Sequence, residues 1–190
     1  MQVLVLDFDC TLSQRCSYKS THEGYDDFDR AANAGFSHIA PADRHKNKQF
    51  VEWLMGGKTR IESLEKWFNN ISKVCNIEIC TWSNAQHILS ILKLSNLMKY
   101  IVRIHGRNGR GSPATVIENG TLRIENIFVE KSDWLNNMQS SNVLFVDDNV
   151  TNYEHVNIQC FDNAAHGLTY NNNGLTPDMM TKISSILHES

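Results

Sequence analysis

The 190-residue chain is 41% hydrophobic and carries a formal charge of −3, which supports a buried core and excludes the strong basic field of a dedicated nucleic-acid binder. No apolar run approaches the roughly 20 residues that cross a bilayer, and the N-terminus runs into a hydrophobic segment without a basic region or cleavage site, so a soluble, cytoplasmic protein that engages no membrane is expected. Five cysteines, Cys10, Cys16, Cys75, Cys80 and Cys160, lie scattered without a Cys-x-x-Cys pair; they signal neither a disulfide framework nor a zinc site and fit a reducing compartment.

Val3-Leu4-Val5-Leu6 is an apolar run that predicts a strand covered on both faces, as in a parallel sheet. It leads into Asp7-Phe8-Asp9-Cys10-Thr11. In extended backbone alternate side chains share a face, so Asp7 and Asp9 are expected on one side of the chain and Phe8 on the other. Two acids this close repel unless a cation or a proton lies between them. The strand end is therefore a candidate site for phosphoryl chemistry, although Asp also ends strands for structural reasons alone. Cys10 has no His nearby in sequence to activate it as a nucleophile, and packing is its expected role.

After Thr11 the chain is polar and irregular to about Ala42, with Gly24, Gly35, Pro41 and an acidic run at Asp26, Asp27 and Asp29, and it reads as loop. Residues 46–55 are helix-like, Gly56-Gly57 interrupts the pattern, and Ile61, Leu64, Trp67, Phe68 and Ile71 recur at helical spacing. A second strand is predicted at Ile77 to Cys80, ending in Thr81-Trp82-Ser83-Asn84. A helix follows with Ile88, Leu89, Ile91 and Leu92 on its buried face. Ile101 to Ile104 predicts a third strand, and residues 116–123 a hairpin turning at Asn119-Gly120. Lys131 precedes an amphipathic stretch with Trp134, Leu135 and Met138. Val143 to Val146 is another buried strand, and it ends in Asp147-Asp148-Asn149. Cys160-Phe161 predicts a short last strand. Thr176-Pro177-Asp178 opens a terminal helix as cap, first-turn proline and dipole-favoured acid. Two basic patches, Arg103, Arg107 and Arg110 with His105, and Arg44, His45, Lys46 and Lys48, read as solvated loops or as anion contacts.

Strands alternating with helices argue for an α/β, Rossmann-like open parallel sheet with helices on both faces. In such sheets ligands bind beyond the carboxyl ends of the strands. The tips at Asp7/Asp9, Thr81 and Asp147/Asp148 are therefore expected to converge on one crevice. One domain over 1–190 is expected, with residues 12–58 as a flap or minimal cap, residues 106–128 as a hairpin insertion, and no large cap.

Asp-x-Asp-x-Thr after the first strand, a Thr or Ser after a second, a Lys before a later helix and paired acids after another strand stand in the order found in the haloacid dehalogenase (HAD) superfamily. The chain resembles that family in "LDFDCTL", "ICTWSNA", "VEKSDWL" and "LFVDDN", which between them span most of its length. The resemblance implies a Mg²⁺-dependent phosphomonoesterase. Asp7 would attack phosphorus to form an aspartyl-phosphate, and Asp9 would protonate the leaving oxygen and then activate water. Mg²⁺ would be held by Asp7, the Asp9 carbonyl and an acid of the Asp147/Asp148 pair, with Asp148 favoured as the direct ligand. Thr81 is preferred over Ser83 as the phosphate-binding hydroxyl, and Lys131 would add a positive charge to phosphate. Thr11, Ser83, Asn84, Arg107 and Arg110 complete the expected substrate contacts.

Many members of the family carry Gly where Cys10 stands, which places this chain nearer to branches acting on protein tails or nucleic-acid ends. The sparse insertion implies an open site that admits a macromolecule, either a nucleic-acid end or a phosphoprotein. The Arg107/Arg110 patch is expected to hold a nucleic-acid backbone, and Trp82 either stacks on a base or belongs to the core. Two alternatives stay open: a small-metabolite or nucleotide phosphatase, and, from another class, a noncatalytic binding module on the same fold.

Overall fold

In the computed structural model, which describes residues 2–22, 24–107, 114–119, 121–125, 130–138, 142–162 and 174–189, the N-terminal apolar run forms strand β1 (Gln2–Leu6) at the interior of a seven-stranded sheet. The chain continues through two short helices, α1 (Ser17–Ser20) and α2 (Asp26–Ala31), to α3 (Lys48–Leu54) and α4 (Lys58–Ile71). Strand β2 (Cys75–Cys80), helix α5 (Ala85–Leu94) and strand β3 (Ile101–Gly106) follow. The hairpin strands β4 (Ala114–Glu118) and β5 (Thr121–Glu125) precede α6 (Lys131–Asn136), β6 (Val143–Asp147), β7 (Gln159–Asp162) and α7 (Pro177–Glu189).

The sheet order is β5-β4-β3-β2-β1-β6-β7. Pairs from β3 through β7 are parallel, and the hairpin joins β3 antiparallel. The chain builds outward from β1 to β3 and later resumes on the other side of β1 with β6. That reversal is the switch point at which open α/β sheets form their binding crevice. The registers Leu6↔Ile79 and Leu6↔Val146 bring the ends of β1, β2 and β6 level, so Asp7 and Asp147 emerge side by side.

Alternation along β1 divides the core. Leu4 and Leu6 pack with Ile77, Ile79, Ile104 and Val146 against apolar residues of α3, α4, α5 and α7. Val3 and Val5 face the other way, with Val143, Phe145 and Leu135 of α6. Helices therefore cover both faces, as the alternating pattern predicts.

The stretch expected as loop, residues 12–42, is instead largely helical: α1 and α2 are followed by an irregular helical turn over Ala32–Phe36 and a 3₁₀ turn begins at Pro41. These pieces are too short for an apolar period to show. The acidic run Asp26, Asp27 and Asp29 occupies the first turn of α2, where the helix dipole favours negative charge. Two arginines, Arg44 buried and Arg60 half-buried, stitch this region to the body through carbonyls. Arg44 donates to the carbonyls of Ser20 and Ile39, and Arg60 to those of Leu12, Met55 and Leu175. Among the described residues, no helix is long and apolar enough to cross a membrane.

Candidate active site

The backbone leaves β1 at Asp7, still extended at φ −64° and ψ 157°, and then turns sharply, with Cys10 in the left-handed region at φ 60°. Phe8 is carried into the core, and the carboxylates of Asp7 and Asp9 line a cavity of about 230 Å³. Thr81, Ser83, Lys131, Asp147 and Asp148 line the same cavity. The strand tips thus converge as expected.

Lys131 bridges the two level aspartates. Its ammonium donates to Asp7 Oδ1 and to Asp147 Oδ2, each at 2.6 Å. Lys131 stands in the first turn of α6, which Glu130 and Asp133 close as a capping box. A cation at this end of a helix works against the dipole, so the two carboxylates are what hold it there. Burial opposes the Lys131 charge, but Asp147 and Asp7 outweigh it and keep the ammonium above its ordinary range. Burial raises the Asp7 carboxyl well above the usual carboxylate range, against the pull of Lys131 and with further push from Asp147, Asp148 and Asp9. Among the described residues Asp7 Oδ2 has no hydrogen-bond donor, which leaves it directed to whatever fills the cavity.

Asp147 is fully buried and held from several sides. The Asn149 amide donates to Oδ1 at 2.8 Å, and Asn152 Nδ2 lies 3.0 Å from both carboxylate oxygens. The Tyr153 hydroxyl clamps the same residue's backbone by donating to its carbonyl at 2.8 Å. Asp148 is less enclosed. It accepts from the buried Thr11 hydroxyl at 3.4 Å, and burial together with Asp147 pushes its carboxyl up to about 7.

Asp7, Asp147 and Asp148 each offer an oxygen within 4.8 Å of the others. With all three acids ionised, one lysine leaves two negative charges in a buried space, and the raised Asp7 and Asp148 carboxyls reflect that crowding. Hard oxygen donors with that surplus fit a divalent cation such as Mg²⁺. Asp9 contributes no carboxylate to this trio. Its Oδ1 accepts from the Ser17 amide at 2.5 Å and the Ser17 hydroxyl at 2.6 Å, and its Oδ2 from the hydroxyls of Ser83 and, at 3.5 Å, Thr81.

Of the other predicted contacts, Asn84 caps α5, its side chain accepting from the Gln86 amide at 2.9 Å and the His87 amide at 3.4 Å. It lines a neighbouring cleft rather than the main cavity. Arg107 is only 3% exposed and lies over the Trp82 ring at 5.2 Å, outside the cavity lining. Arg110 falls outside the described residues. Cys10 lines the cavity, but burial and then the Asp148, Asp9 and Asp7 charges push its thiol up, which keeps it protonated and poorly nucleophilic.

The sequence reading missed Ser17, Asn152 and Tyr153. Asn152 carried a usable signal, because it follows Asp147 by five residues in "DDNVTN". Ser17 carried none, lying in a polar stretch without pattern. Gly106 was also unmarked: a Cβ there would stand 2.6 Å from the Ala85 nitrogen and 2.7 Å from the Ser83 carbonyl oxygen. Only glycine lets β3 approach the turn that presents Ser83.

Fold and geometry together define an open α/β protein with an acidic, lysine-bridged site at the switch point of its sheet. No known family model matches the sequence, and no curated protein does. Among solved structures the chain is similar to the HAD domain of effector protein Lem4 from Legionella pneumophila, at 13% identity and a TM-score of 0.55, covering 98% of this chain and 94% of that one. The inactive mutant of that domain gives 12% identity and a TM-score of 0.52 over 99% and 96% of the two chains. A HAD-superfamily hydrolase from Ehrlichia chaffeensis aligns at 12% identity with a TM-score of 0.49, covering 100% and 98%. The Lem4 likeness establishes the fold: this chain has the Rossmann-like α/β fold of HAD domains.

Proposed function

We propose that the chain is a HAD-superfamily phosphohydrolase that cleaves phosphomonoesters through an aspartyl-phosphate. The observation that carries this reading is the buried Lys131 bridging Asp7 and Asp147, with Asp148 beside them, on the floor of an accessible cavity. Asp7 is the nucleophile and attacks phosphorus through Oδ2, while Lys131 holds the other oxygen and orients the carboxylate. Asp9 protonates the leaving alkoxide and then takes a proton from the water that hydrolyses the acyl phosphate. Ser17 and Ser83 fix Asp9 in place.

The Ser83 hydroxyl is committed to Asp9, whereas Thr81 makes only a 3.5 Å contact to it. This favours Thr81 as the donor to a phosphate oxygen. Mg²⁺ would be held by Asp7, Asp148 and the Asp9 carbonyl, and when bound it offsets the repulsion between the acids and the phosphate. Asn149, Asn152 and Tyr153 keep Asp147 pointed at Lys131.

The test is hydrolysis of a generic aryl phosphate by the purified protein. Activity that disappears on chelation, returns with Mg²⁺ and is abolished in Asp7→Asn is the expected result. Full activity in Asp7→Asn refutes the nucleophile, and a folded wild-type protein inert with Mg²⁺ toward every phosphoester offered favours a noncatalytic binding module instead.

A further inference from the structure

The cavity floor is acidic, but its walls are aromatic. Tyr18, Tyr25 and Trp82 line it beside the catalytic acids. Tyr18 and Tyr25 meet edge to face at 5.9 Å, and His22 stacks on Tyr18 at 4.0 Å. This arrangement stiffens the pair without burying it: Tyr18 stays 38% and Tyr25 40% exposed. Trp82 is fixed from the protein side. Arg107 covers its ring at 5.2 Å, and its indole nitrogen donates to Asn152 Oδ1 at 3.5 Å.

Rigid aromatic rings left facing solvent at a cavity recover their hydration cost when a flat apolar group covers them. Besides Lys131, Lys19 is the cation among the described residues that lines the cavity, and Arg107 and Arg44, 3% and 1% exposed, do not follow a phosphodiester backbone. The three rings supply the aromatic surface for whatever lies beyond the phosphate.

We propose that the substrate carries a planar aromatic or heteroaromatic ring close to its phosphate, and that Trp82, Tyr18 and Tyr25 bind that ring. This rests on the phosphohydrolase reading. Two sources supply such a ring, a nucleobase and a phenol, and stacking on an aromatic wall accepts either.

The test compares 2-phenylethyl phosphate with 2-cyclohexylethyl phosphate, whose leaving groups are both primary alkoxides and whose ring sizes match. Wild-type kcat/KM is expected to favour the phenyl ester by roughly 2- to 13-fold, what an aromatic pair adds beyond the apolar area that both rings bury. Trp82→Leu and Tyr25→Leu are each expected to shrink that phenyl-to-cyclohexyl ratio severalfold, the ratio cancelling any loss common to both esters. Tyr25 is exposed, so its variant folds even if that of Trp82 does not. A ratio near one in the wild type, or one unchanged in both variants, overturns the proposal.

Calorimetry with the two corresponding phosphonates separates the proposal from the reading beneath it. Tighter binding of the phenyl phosphonate without hydrolysis of either ester removes the enzyme and keeps the ring wall, whereas equal binding removes the wall. Adenosine monophosphate and a phosphotyrosyl dipeptide, run alongside, distinguish the two sources: preference for either over glucose 6-phosphate supports the proposal, and preference for the sugar overturns it.

Discussion

Replacing Lys131 with Met removes a cation and keeps an unbranched side chain of similar length. The Lys131 side chain is 4% exposed, and its two acceptors, Asp7 and Asp147, are 6% and 0% exposed. Deleting one partner of a buried ion pair leaves an uncompensated charge and costs about 3–5 kcal/mol. Asp147 keeps its contacts to Asn149 and Asn152, so most of the loss falls on Asp7, which keeps no side-chain donor among the described residues. At about 2–4 °C per kcal/mol for a chain of this size, the melting temperature should fall by about 6–20 °C. Urea unfolding followed by tryptophan fluorescence measures the loss directly. The decisive comparison adds Asp7→Asn. In the wild-type background it breaks a pair, whereas in the Lys131→Met background it removes the stranded charge, so the two effects should be non-additive by about 1–3 kcal/mol. Strict additivity, or a Lys131→Met protein within about 0.5 kcal/mol of wild type, would refute the view that this lysine is held by the acids around it.

Three further outcomes follow from other parts of the fold. Gly106→Ala drives a methyl into the backbone that presents Ser83; overpacking of this kind costs about 1–3 kcal/mol, and aryl phosphate turnover should fall with the melting temperature, while an unaltered protein would show that β3 does not set that turn. His45 and His87 stack at 3.9 Å; burial, then His87 and Lys46, push His45 down to about 4 against the pull of Asp43, and burial, His22 and Lys46 lower His87. The unfolded imidazoles titrate near 6.5, so this contribution to stability is whole above that pH and is lost as pH falls toward 4; His87→Asn should flatten the acid slope of the unfolding midpoint, and an identical slope would exclude the pair as its source. Burial raises the thiols of Cys10 and Cys16 and lifts those of Cys75 and Cys80 to about 11 and about 12, whereas Cys160 is exposed. Native alkylation at pH 8 should therefore label Cys160 first without loss of hydrolysis, and early labelling of Cys10 with inactivation would restore a thiol mechanism.

What the sequence disclosed, and what it withheld, follows from range. Val3 to Leu6, Ile77 to Cys80 and Val143 to Val146 announce buried strands because period and composition act over a few neighbouring residues. The polar tips then gather because parallel strands start and stop level. Burial of charged residues is another matter. Arg107 and Arg44 look like surface cations in sequence, and only the assembled fold places Trp82 over the one and Phe28 beside the other. Ser17 reaches Asp9 across eight residues through a helical turn, α1, that is too short to carry a pattern.

Within the first motif Asp7 and Asp9 both face the cavity and Phe8 the core, as alternation predicts, but the two acids serve different partners, Asp7 turning to Lys131 and Asp9 to Ser17 and Ser83, because the chain ceases to be a strand at Asp7. Cys10, at φ 60°, makes the turn possible at a cost of roughly 1–2 kcal/mol for any residue with a Cβ. Its side chain is nearly buried, at 6% exposure, so part of that cost is offset by packing. Two substitutions separate the contributions. Cys10→Ala loses the sulfur and keeps the strain, whereas Cys10→Gly loses both. The glycine variant should therefore be the more stable of the two by about 1 kcal/mol, although glycine ordinarily weakens a folded chain relative to alanine. Urea midpoints that rank alanine above glycine would show that the turn is unstrained at this position.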